Sequence, residues 1–297
     1  METNSPNSRK PVFIVVLILV ILGIGVFAFV SWRIASKTPP PVVEKNLGPT
    51  HTVIGQSVEG RSIDAYSYGN GTTNLLFVGG IHGGYEWNSV ILAYQFMDYL
   101  NANPNAIPNN IKVTVIPSAN PDGVFKVVGK DGRFTESDVS TDTKILAEGR
   151  FNANKVDLNR NFDCNWQPKS TWQSKTVSAG TEVFSEPEAQ ALKNYILQNN
   201  FSAVVFWHSQ SNGVYASKCN DGILPGTLLI MDAYSKASGY PAVKSFDAYA
   251  ISGAADDWLA SINIPAVSVE LKTHTNIEWE QNLAGIKALF DYFSQKK

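Results

Sequence analysis

The stretch NLLFVGGIHGGYE, residues 74–86, joins a short apolar run to two pairs of glycines, a histidine and a glutamate. Asn74–Gly79 predicts a buried strand, and Trp87–Leu100 carries apolar side chains at helical spacing. Glycine lets the backbone turn sharply because it has no Cβ atom to clash. We therefore predict that His82 and Glu86 converge at the turn between a strand and a helix.

A second histidine, His208, follows the apolar run Ala203–Trp207, which also predicts a buried strand. Two histidines and one glutamate at strand ends leave a fourth coordination position open, as in catalytic zinc sites. A zinc ion held in this way lowers the pKa of bound water to about 7. One such histidine alone is more often a hydrogen-bonded structural residue. The three residues therefore suggest a metal site but no particular reaction.

Strand-like and helix-like segments alternate over the rest of the chain. Ile111–Ile116 and Ala266–Val269 predict further strands, and Ser185–Glu188 resembles a capping box with an early proline. The alternation predicts an α/β fold with a mixed, mostly parallel central sheet and helices on both faces. Ligands of such sheets bind beyond the carboxyl ends of the strands. The last predicted helix is amphipathic, with apolar residues Leu283, Ile286, Leu289, Phe290 and Phe293.

The N-terminal fifth of the chain has a different character. After a short basic segment, 1–10, the uncharged run of segment 11–31 is long enough, at about 1.5 Å per residue, to cross a bilayer as a helix. A cleaved signal peptide is the alternative. Segment 32–50 contains a proline cluster and predicts a stiff linker to a catalytic domain at 51–297. We expect a single membrane anchor, with the catalytic domain outside the cytoplasm.

The charge of the chain argues against one class of function, nucleic-acid binding, and its cysteines bear on the compartment in which it works. The chain has 24 basic and 26 acidic side chains and a net charge of -2, which lacks the basic footprint of a nucleic-acid-binding protein. Its two cysteines, Cys164 and Cys219, form a disulfide in an extracytoplasmic domain or remain free structural thiols. The sequence leaves both possibilities open.

Several short segments occur in a fixed order along residues 53–293. They are Ser57–Ile63, Gly80–Glu86, Pro117–Gly123, Arg150 with Asp157–Phe162, Ser185–Glu188, His208–Ser209 and Val269–Leu271. In content and order they resemble the zinc carboxypeptidase family, whose digestive members include carboxypeptidases A and B. The resemblance implies a carboxypeptidase fold and a zinc-dependent exopeptidase that hydrolyses the C-terminal peptide bond.

The resemblance also implies the roles of individual residues. Glu270 would be the general base that activates a zinc-bound water, and Arg150 would stabilise the oxyanion. Asn159 and Arg160 would bind the terminal carboxylate, for which a planar guanidinium offers paired hydrogen bonds. Tyr249 would close over the substrate.

The implied ligands of one zinc ion are His82, Glu86 and His208. In the best-known members of the family the first two are spaced HxxE, whereas here four steps separate His82 from Glu86. We expect the double glycine to absorb the extra residue. If it does not, the metal site is distorted or lost.

The resemblance also implies a substrate preference, because aligning Ser252-Gly253 and Trp258 with the family places Asp256 at the floor of the pocket for the C-terminal side chain. A carboxylate there would favour a cationic end such as lysine, arginine or the amine of diaminopimelate, unless Asp256 is a helix cap or a surface charge. Peptides or cell-wall peptides are the expected substrates, and the protein is expected to be a monomer. His274, four residues after Glu270, is interpreted as a structural residue or one that supports the site residues from behind, with contact to the substrate as the less favoured alternative.

Two other functions stay open. A related zinc deacylase would cleave N-acyl amino acids, and a binding module would keep the fold without catalysis. The context of Glu270 in the segment VEL and the presence of Tyr249 favour the peptidase. The ligand set and Glu270 are complete, which disfavours a module that has lost its activity.

Overall fold

A computed structural model describes Ser31 and residues 48–295 of the chain. The chain divides after Glu44, and the fold lies in the second unit, Lys45–Lys297. Apart from Ser31, the predicted anchor at 11–31 lies outside the described residues, as do segment 1–10 and most of the predicted linker. Within the described part of the chain, no helix combines the length and the apolar character needed to cross a membrane.

An eight-stranded mixed sheet lies at the centre of the fold. In spatial order the strands are β1 (Thr50–Gln56), β2 (Ser62–Tyr68), β4 (Ile111–Ile116), β3 (Thr73–Val78), β7 (Phe201–Ser209), β10 (Ala266–Leu271), β8 (Gly213–Ala216) and β9 (Ala242–Val243). Four neighbouring strands, β4, β3, β7 and β10, run parallel, while β1–β2, β2–β4 and β10–β8 pair antiparallel and β8–β9 pairs parallel. The predicted mixed sheet is thus confirmed.

Helices cover both faces of this sheet, as predicted. The helices are α1 (Trp87–Ala102), α2 (Pro121–Val128), α3 (Thr143–Glu148), α4 (Pro187–Asn199), α5 (Pro225–Ser238), α6 (Ala255–Ser261) and α7 (Trp279–Gln295). One apolar cluster joins the sheet to α1, α5 and α7, and a second cluster on the other face joins it to α4 and α6. A separate hairpin is formed by β5 (Lys169–Trp172) and β6 (Lys175–Ser178).

Strand β3 shows why the apolar run is continuous. Leu75 and Phe77 pack in one cluster, while Leu76 and Val78 pack in the other. Successive side chains of a strand point to opposite faces, so a strand buried on both faces needs an apolar residue at every position. The same reasoning applies to β7, and both strands therefore end deep in the molecule, where the predicted metal ligands begin.

The predicted capping box at Ser185–Glu188 is wrong, although the early proline is confirmed. Glu186 occupies the N-cap position but makes no side-chain cap. Its carboxylate instead accepts hydrogen bonds from Asn152, Asn154 and Ser185. Contacts with a distant segment have therefore replaced the local motif.

Cys164 and Cys219 form a disulfide bond, which decides between the two alternatives left open by the sequence. The bond links the segment that follows Asn159 and Arg160 to the segment that follows β8. Arg160 and Lys218, which directly precede the two linked segments, line the cavity at the carboxyl ends of the parallel strands.

Candidate active site

His82, Glu86 and His208 converge at the carboxyl ends of β3 and β7; His208 is the second-last residue of β7, which runs two residues further than the predicted strand. One nitrogen or oxygen atom from each of the three lies within 4.8 Å of the other two, and all three side chains are buried. His208 Nδ1 and Glu86 Oε2 are 3.1 Å apart, and the backbone N–H of Ser209 also donates to Glu86 Oε2 over 3.1 Å. The residues at the two strand ends therefore meet as predicted.

The extra residue between His82 and Glu86 lies in a tight turn. Gly83–Glu86 forms a single turn of 3-10 helix, in which the N–H of Tyr85 donates to the carbonyl of His82 over 3.2 Å. Gly83 has a φ of +49°, and a Cβ atom there would lie 2.4 Å from the carbonyl oxygen of Gly149. Only glycine fits this turn without displacing the backbone beside it. The double glycine therefore accommodates the longer spacing without separating the ligands.

His82 is held by two charged neighbours. Its Nδ1 lies 3.3 Å from Asp157 Oδ1, and Arg150 Nη2 donates to its Nε2 over 3.1 Å. Burial and the positive charge of Arg150 lower the pKa of His82 to about 4. The imidazole is therefore neutral near pH 7. A neutral imidazole of this kind is a metal ligand.

Asp157 connects His82 to Arg150. Arg150 Nε donates to Asp157 Oδ2 over 2.8 Å, and both side chains are buried. Burial acts to raise the pKa of Asp157, but Arg150, Arg160 and His82 outweigh it and hold that pKa well below the usual value. Asp157 thus orients one ligand and one predicted catalytic arginine.

The other two ligands form a charge pair. Burial acts to raise the pKa of Glu86, but the nearby charges of His82 and His208 prevail and hold it at about 2. Burial acts to lower the pKa of His208, but Glu86 raises it above the usual value. Two imidazoles and one ionised carboxylate, whose ligand atoms lie within 4.8 Å of one another, match the donor set of catalytic zinc. The residues present therefore fit a zinc ion.

Glu270 lies beside His208 on the neighbouring parallel strand. The two residues are Cα partners in the register of β10 and β7. The carboxylate of Glu270 accepts a hydrogen bond of 3.1 Å from the backbone N–H of Ser211. Burial raises the pKa of Glu270 to about 7, with Glu86 contributing and His208 opposing. A carboxyl group with such a pKa can accept and return a proton near neutral pH.

The predicted carboxylate-binding pair, Asn159 and Arg160, lies on the same cavity. Arg160 is 1% exposed and uses three of its five N–H groups on the carbonyl oxygens of Thr171 and Asn159. One N–H therefore remains on each of its two terminal nitrogens. Asn159 Oδ1 accepts from the backbone N–H of Ala255 over 2.8 Å, which leaves the Asn159 amide NH2 for a ligand.

The cavity has a volume of about 510 Å³, and its wall includes all nine of the predicted site residues. Tyr249, in the irregular segment before α6, packs its ring edge-on against Phe246 at 4.9 Å. Asp256, in the first turn of α6, accepts a hydrogen bond from Ser268 over 2.9 Å. The side chain of Asp256 is half-buried on the cavity wall and is neither a helix cap nor a surface charge.

Several cavity residues received no site role from the sequence. The hairpin β5–β6 places the Trp172 ring 4.7 Å from the guanidinium carbon of Arg150 and edge-on to Tyr85 at 5.0 Å. Asp257 also lines the cavity; burial and the charge of Asp256 raise its pKa to about 8. Neither Trp172 nor Asp257 stands at a fixed spacing from the metal ligands, so no motif marks them.

Comparison with known proteins agrees with this geometry. The model of the family described as zinc carboxypeptidase matches residues 48–283, most of the chain. This chain belongs to the zinc carboxypeptidase family. The resemblance noted in the sequence and the single zinc ion it implies are confirmed, and the family assignment supports a zinc hydrolase.

One similar protein is named as an endopeptidase. Gamma-D-glutamyl-L-diamino acid endopeptidase 1 of Lysinibacillus sphaericus is 26% identical over 249 residues, which cover 76% of this chain and 61% of the relative. The chain thus spans less than two thirds of that protein's length.

Two solved structures share the fold. Thrombin-activatable fibrinolysis inhibitor superposes with a TM-score of 0.68 at 17% identity and covers 85% of this chain and 71% of its own. The murein-tripeptide amidase of Escherichia coli O157 superposes with a TM-score of 0.60 at 22% identity, over 84% of this chain and 96% of its own. At these identities the likeness concerns the fold alone.

Proposed function

We propose that this zinc carboxypeptidase family member removes single residues from the C-termini of peptides. The main support is that one cavity holds the metal ligands, Glu270 and a group of unused N–H donors on Asn159 and Arg160. Such donors match a free carboxylate, which only the last residue of a chain carries on its backbone.

The division of labour follows from the positions of the side chains. A bound zinc ion supplies a Lewis acid and makes water a better nucleophile at neutral pH. Glu270 takes a proton from the attacking water and passes it to the leaving amine. Arg150 directs a guanidinium, fixed by Asp157, toward the developing oxyanion. Asn159 and Arg160 hold the substrate's terminal carboxylate so that the last peptide bond lies at the metal.

The preferred C-terminal residue in this proposal carries an amine or guanidinium. Asp256 lines the cavity beside Asp257, and its carboxylate has only Ser268 as a hydrogen-bond partner among the described residues. The names of one relative and one structural neighbour refer to diamino acid and murein peptides. Cell-wall peptides that end in a diamino acid are therefore included among the proposed substrates.

A location outside the cytoplasm forms part of the proposal. The disulfide between Cys164 and Cys219 supports it, since such bonds persist in oxidising compartments. The uncharged run within residues 11–31 supports a membrane anchor on the N-terminal side of the catalytic domain.

The decisive experiment combines two substrates and two proteins. Peptides that differ only in a free or an amidated C-terminus are incubated with the zinc-loaded wild type and with Glu270→Gln, and the products are followed by mass spectrometry. We expect sequential loss of the last residue from the free peptide by the wild type only. Equal zinc content in both proteins shows that the variant lacks the base and not the metal.

Other outcomes would favour the other functions. Internal cleavage, or equal cleavage of the amidated peptide, would contradict the exopeptidase. Hydrolysis of N-succinyl lysine without release of lysine from peptides would indicate the deacylase. Binding of peptides without any turnover by the zinc-loaded wild type would indicate the binding module.

A further inference from the structure

His274 is tied into a hydrogen-bond network whose direction can be worked out. Ser209 Oγ lies 2.7 Å from His274 Nδ1 and 3.0 Å from Asn88 Oδ1. Asn88 Nδ2 donates both of its hydrogens, to the carbonyl oxygens of Thr273 and Asn276 over 2.7 and 2.9 Å. The amide orientation of Asn88 is thereby fixed, because a flipped amide would place its oxygen against two carbonyls.

The direction of these bonds fixes the tautomer of His274. A serine hydroxyl has one hydrogen, and the Ser209 hydroxyl must donate it to Asn88 Oδ1. Ser209 Oγ therefore accepts from His274, which carries its proton on Nδ1. Burial lowers the pKa of His274, which keeps the ring neutral at pH 7. His274 Nε2 then carries no hydrogen and can only accept a hydrogen bond. It makes no hydrogen bond to any residue that the structure describes.

The ring of His274 is also held in a fixed plane at the cavity. The loop that carries it follows β10 and is clamped through Thr273 and Asn276 by the fully buried Asn88 of α1. Tyr85 packs against the ring at a centroid distance of 4.6 Å, and both residues line the cavity. A histidine that served only to fill space would not need three separate constraints on its orientation.

The strand register places Ser209, the partner of His274, one residue beyond the pair of His208 and Glu270, on the side away from Ser268. Ser268, the partner of Asp256, is paired with Phe206, while Glu270 is paired with His208 and Leu271 with Ser209. Along these two strands the order is the pocket for the C-terminal side chain, then the metal and the base, then Ser209 with His274. The part of a substrate that precedes the scissile bond leads away from the pocket and toward His274.

We propose that His274 Nε2 accepts a hydrogen bond from a backbone amide N–H in the acyl part of the substrate and so helps to position the scissile bond. The proposal rests on the proposed peptidase function. It makes His274 a substrate-positioning residue in addition to a structural one. A peptide offers such a donor at every residue, whatever its side chains, so this contact suits an enzyme that removes residues one after another.

Two matched variants separate the two nitrogens of His274. Asparagine places an amide N–H near the position of Nδ1 and keeps the bond to Ser209, but it has no atom at the position of Nε2. Glutamine reaches the position of Nε2 with an acceptor oxygen. Zinc content and melting temperature of both variants are measured first, to show that the site and the fold are retained.

The substrates are peptides with the same sequence in which each amide N–H before the scissile bond is methylated in turn. For the wild type and His274→Gln, we expect methylation of one particular N–H to lower kcat/KM about 3- to 10-fold more than methylation of the other N–H groups does. This factor corresponds to the loss of one hydrogen bond. In His274→Asn the unmodified peptide already shows this loss, and the same methylation adds nothing to it.

Two results have different meanings. If every methylation changes kcat/KM by the same factor in the wild type and in His274→Asn, the acceptor role of His274 is wrong, although the peptidase proposal stands. If the wild type releases no C-terminal residue from any of these peptides, the proposed function itself fails.

Discussion

As the proposed general base, Glu270 has to be ionised before it can accept a proton from water, and its pKa is therefore expected to set the acid limb of the activity. Burial raises this pKa to about 7 in the metal-free protein. A zinc ion at His208 lowers it, because a nearby cation favours the carboxylate. We predict that kcat/KM falls tenfold per pH unit on the acid side of a midpoint below 7.

The measurement is kcat/KM of the zinc-loaded enzyme from pH 4 to pH 8, with zinc content determined at each pH. The sign follows from the role: the protonated carboxyl group present at low pH cannot act as a base. A rate constant that rises toward low pH while zinc remains bound would contradict this role for Glu270.

Asp256 is the residue at which the C-terminal preference can be tested. Two peptides are compared that end in lysine or in norleucine, which has the same chain without the amine. We predict that Asp256→Asn lowers kcat/KM for the lysine peptide at least tenfold, since a charge-assisted hydrogen bond contributes about 1.5–3 kcal/mol. The norleucine peptide should change little.

Asp257→Asn is the matched control for that experiment. Asp257 lines the same cavity, but its carboxylate is already bonded to the backbone N–H of Lys218 over 2.8 Å. We expect this variant to keep the ratio between the two peptides. If Asp257→Asn and Asp256→Asn abolish the preference equally, the two carboxylates act as one acidic pocket and Asp256 has no separate role.

At the scale of elements, the disulfide joins the two segments that follow the cavity residues Arg160 and Lys218. Its cysteines are 55 residues apart, and closing a loop of that length in the unfolded chain stabilises the fold by about 4 kcal/mol. We predict that replacing Cys164 and Cys219 by serine lowers the free energy of unfolding by about this amount. Urea denaturation of the oxidised wild type, the reduced wild type and the double variant checks the value.

The two proteins that lack the disulfide, the reduced wild type and the serine double variant, serve as controls for each other in this experiment. If the stabilisation comes from the covalent link, the reduced wild type and the serine variant should have similar midpoints. If the reduced and the oxidised wild type have the same free energy of unfolding, the disulfide bond contributes nothing to stability.

Elements whose burial is decided locally could be predicted from the sequence. Apolar periodicity predicts β3, β7 and the amphipathic helix α7. Each of them buries one or both faces against the apolar clusters on the two sides of the sheet. The hairpin β5–β6 could not be predicted, since its short strands carry exposed lysines and no alternating pattern. The cap at Glu186 failed because its partners, Asn152 and Asn154, are over thirty residues away.

The site shows the same division between local and distant causes. The strand ends and glycines in the sequence predict that His82, Glu86 and His208 form a metal site. The roles of the other site residues were predicted from the resemblance to the zinc carboxypeptidase family. Trp172 and the tautomer of His274 depend on contacts between segments far apart in the chain, such as that of Asn88 with Asn276. No spacing rule within one segment could indicate such contacts.

At the scale of the whole molecule, the zinc ligands connect two strand ends and the start of α1. An ion that binds only the folded state stabilises it, by about 2.7 kcal/mol at a free concentration one hundred times its Kd. We predict that chelation lowers the melting temperature and that added zinc restores it. Differential scanning fluorimetry with and without a chelator measures this shift.

A pair of histidine variants provides the control. His208→Ala should lose the zinc-dependent shift, because it removes a ligand. His51→Ala should keep it, since His51 lies on β1 and is hydrogen-bonded to Asp64, outside the cavity. A shift that survives in His208→Ala would mean that zinc stabilises the protein through a different site.

The pairing of His208 with Glu270 in the sheet has a consequence for how such an enzyme diversifies. The two residues are neighbours across one parallel ladder, so backbone hydrogen bonds fix the separation between the candidate metal ligand His208 and the proposed base Glu270. Asp256, Tyr249 and Trp172, in contrast, lie on a short helix, an irregular segment and a separate hairpin. Substitutions in these peripheral parts can therefore change the substrate preference without moving His208 relative to Glu270. For the same reason, these parts could be replaced one at a time in protein engineering.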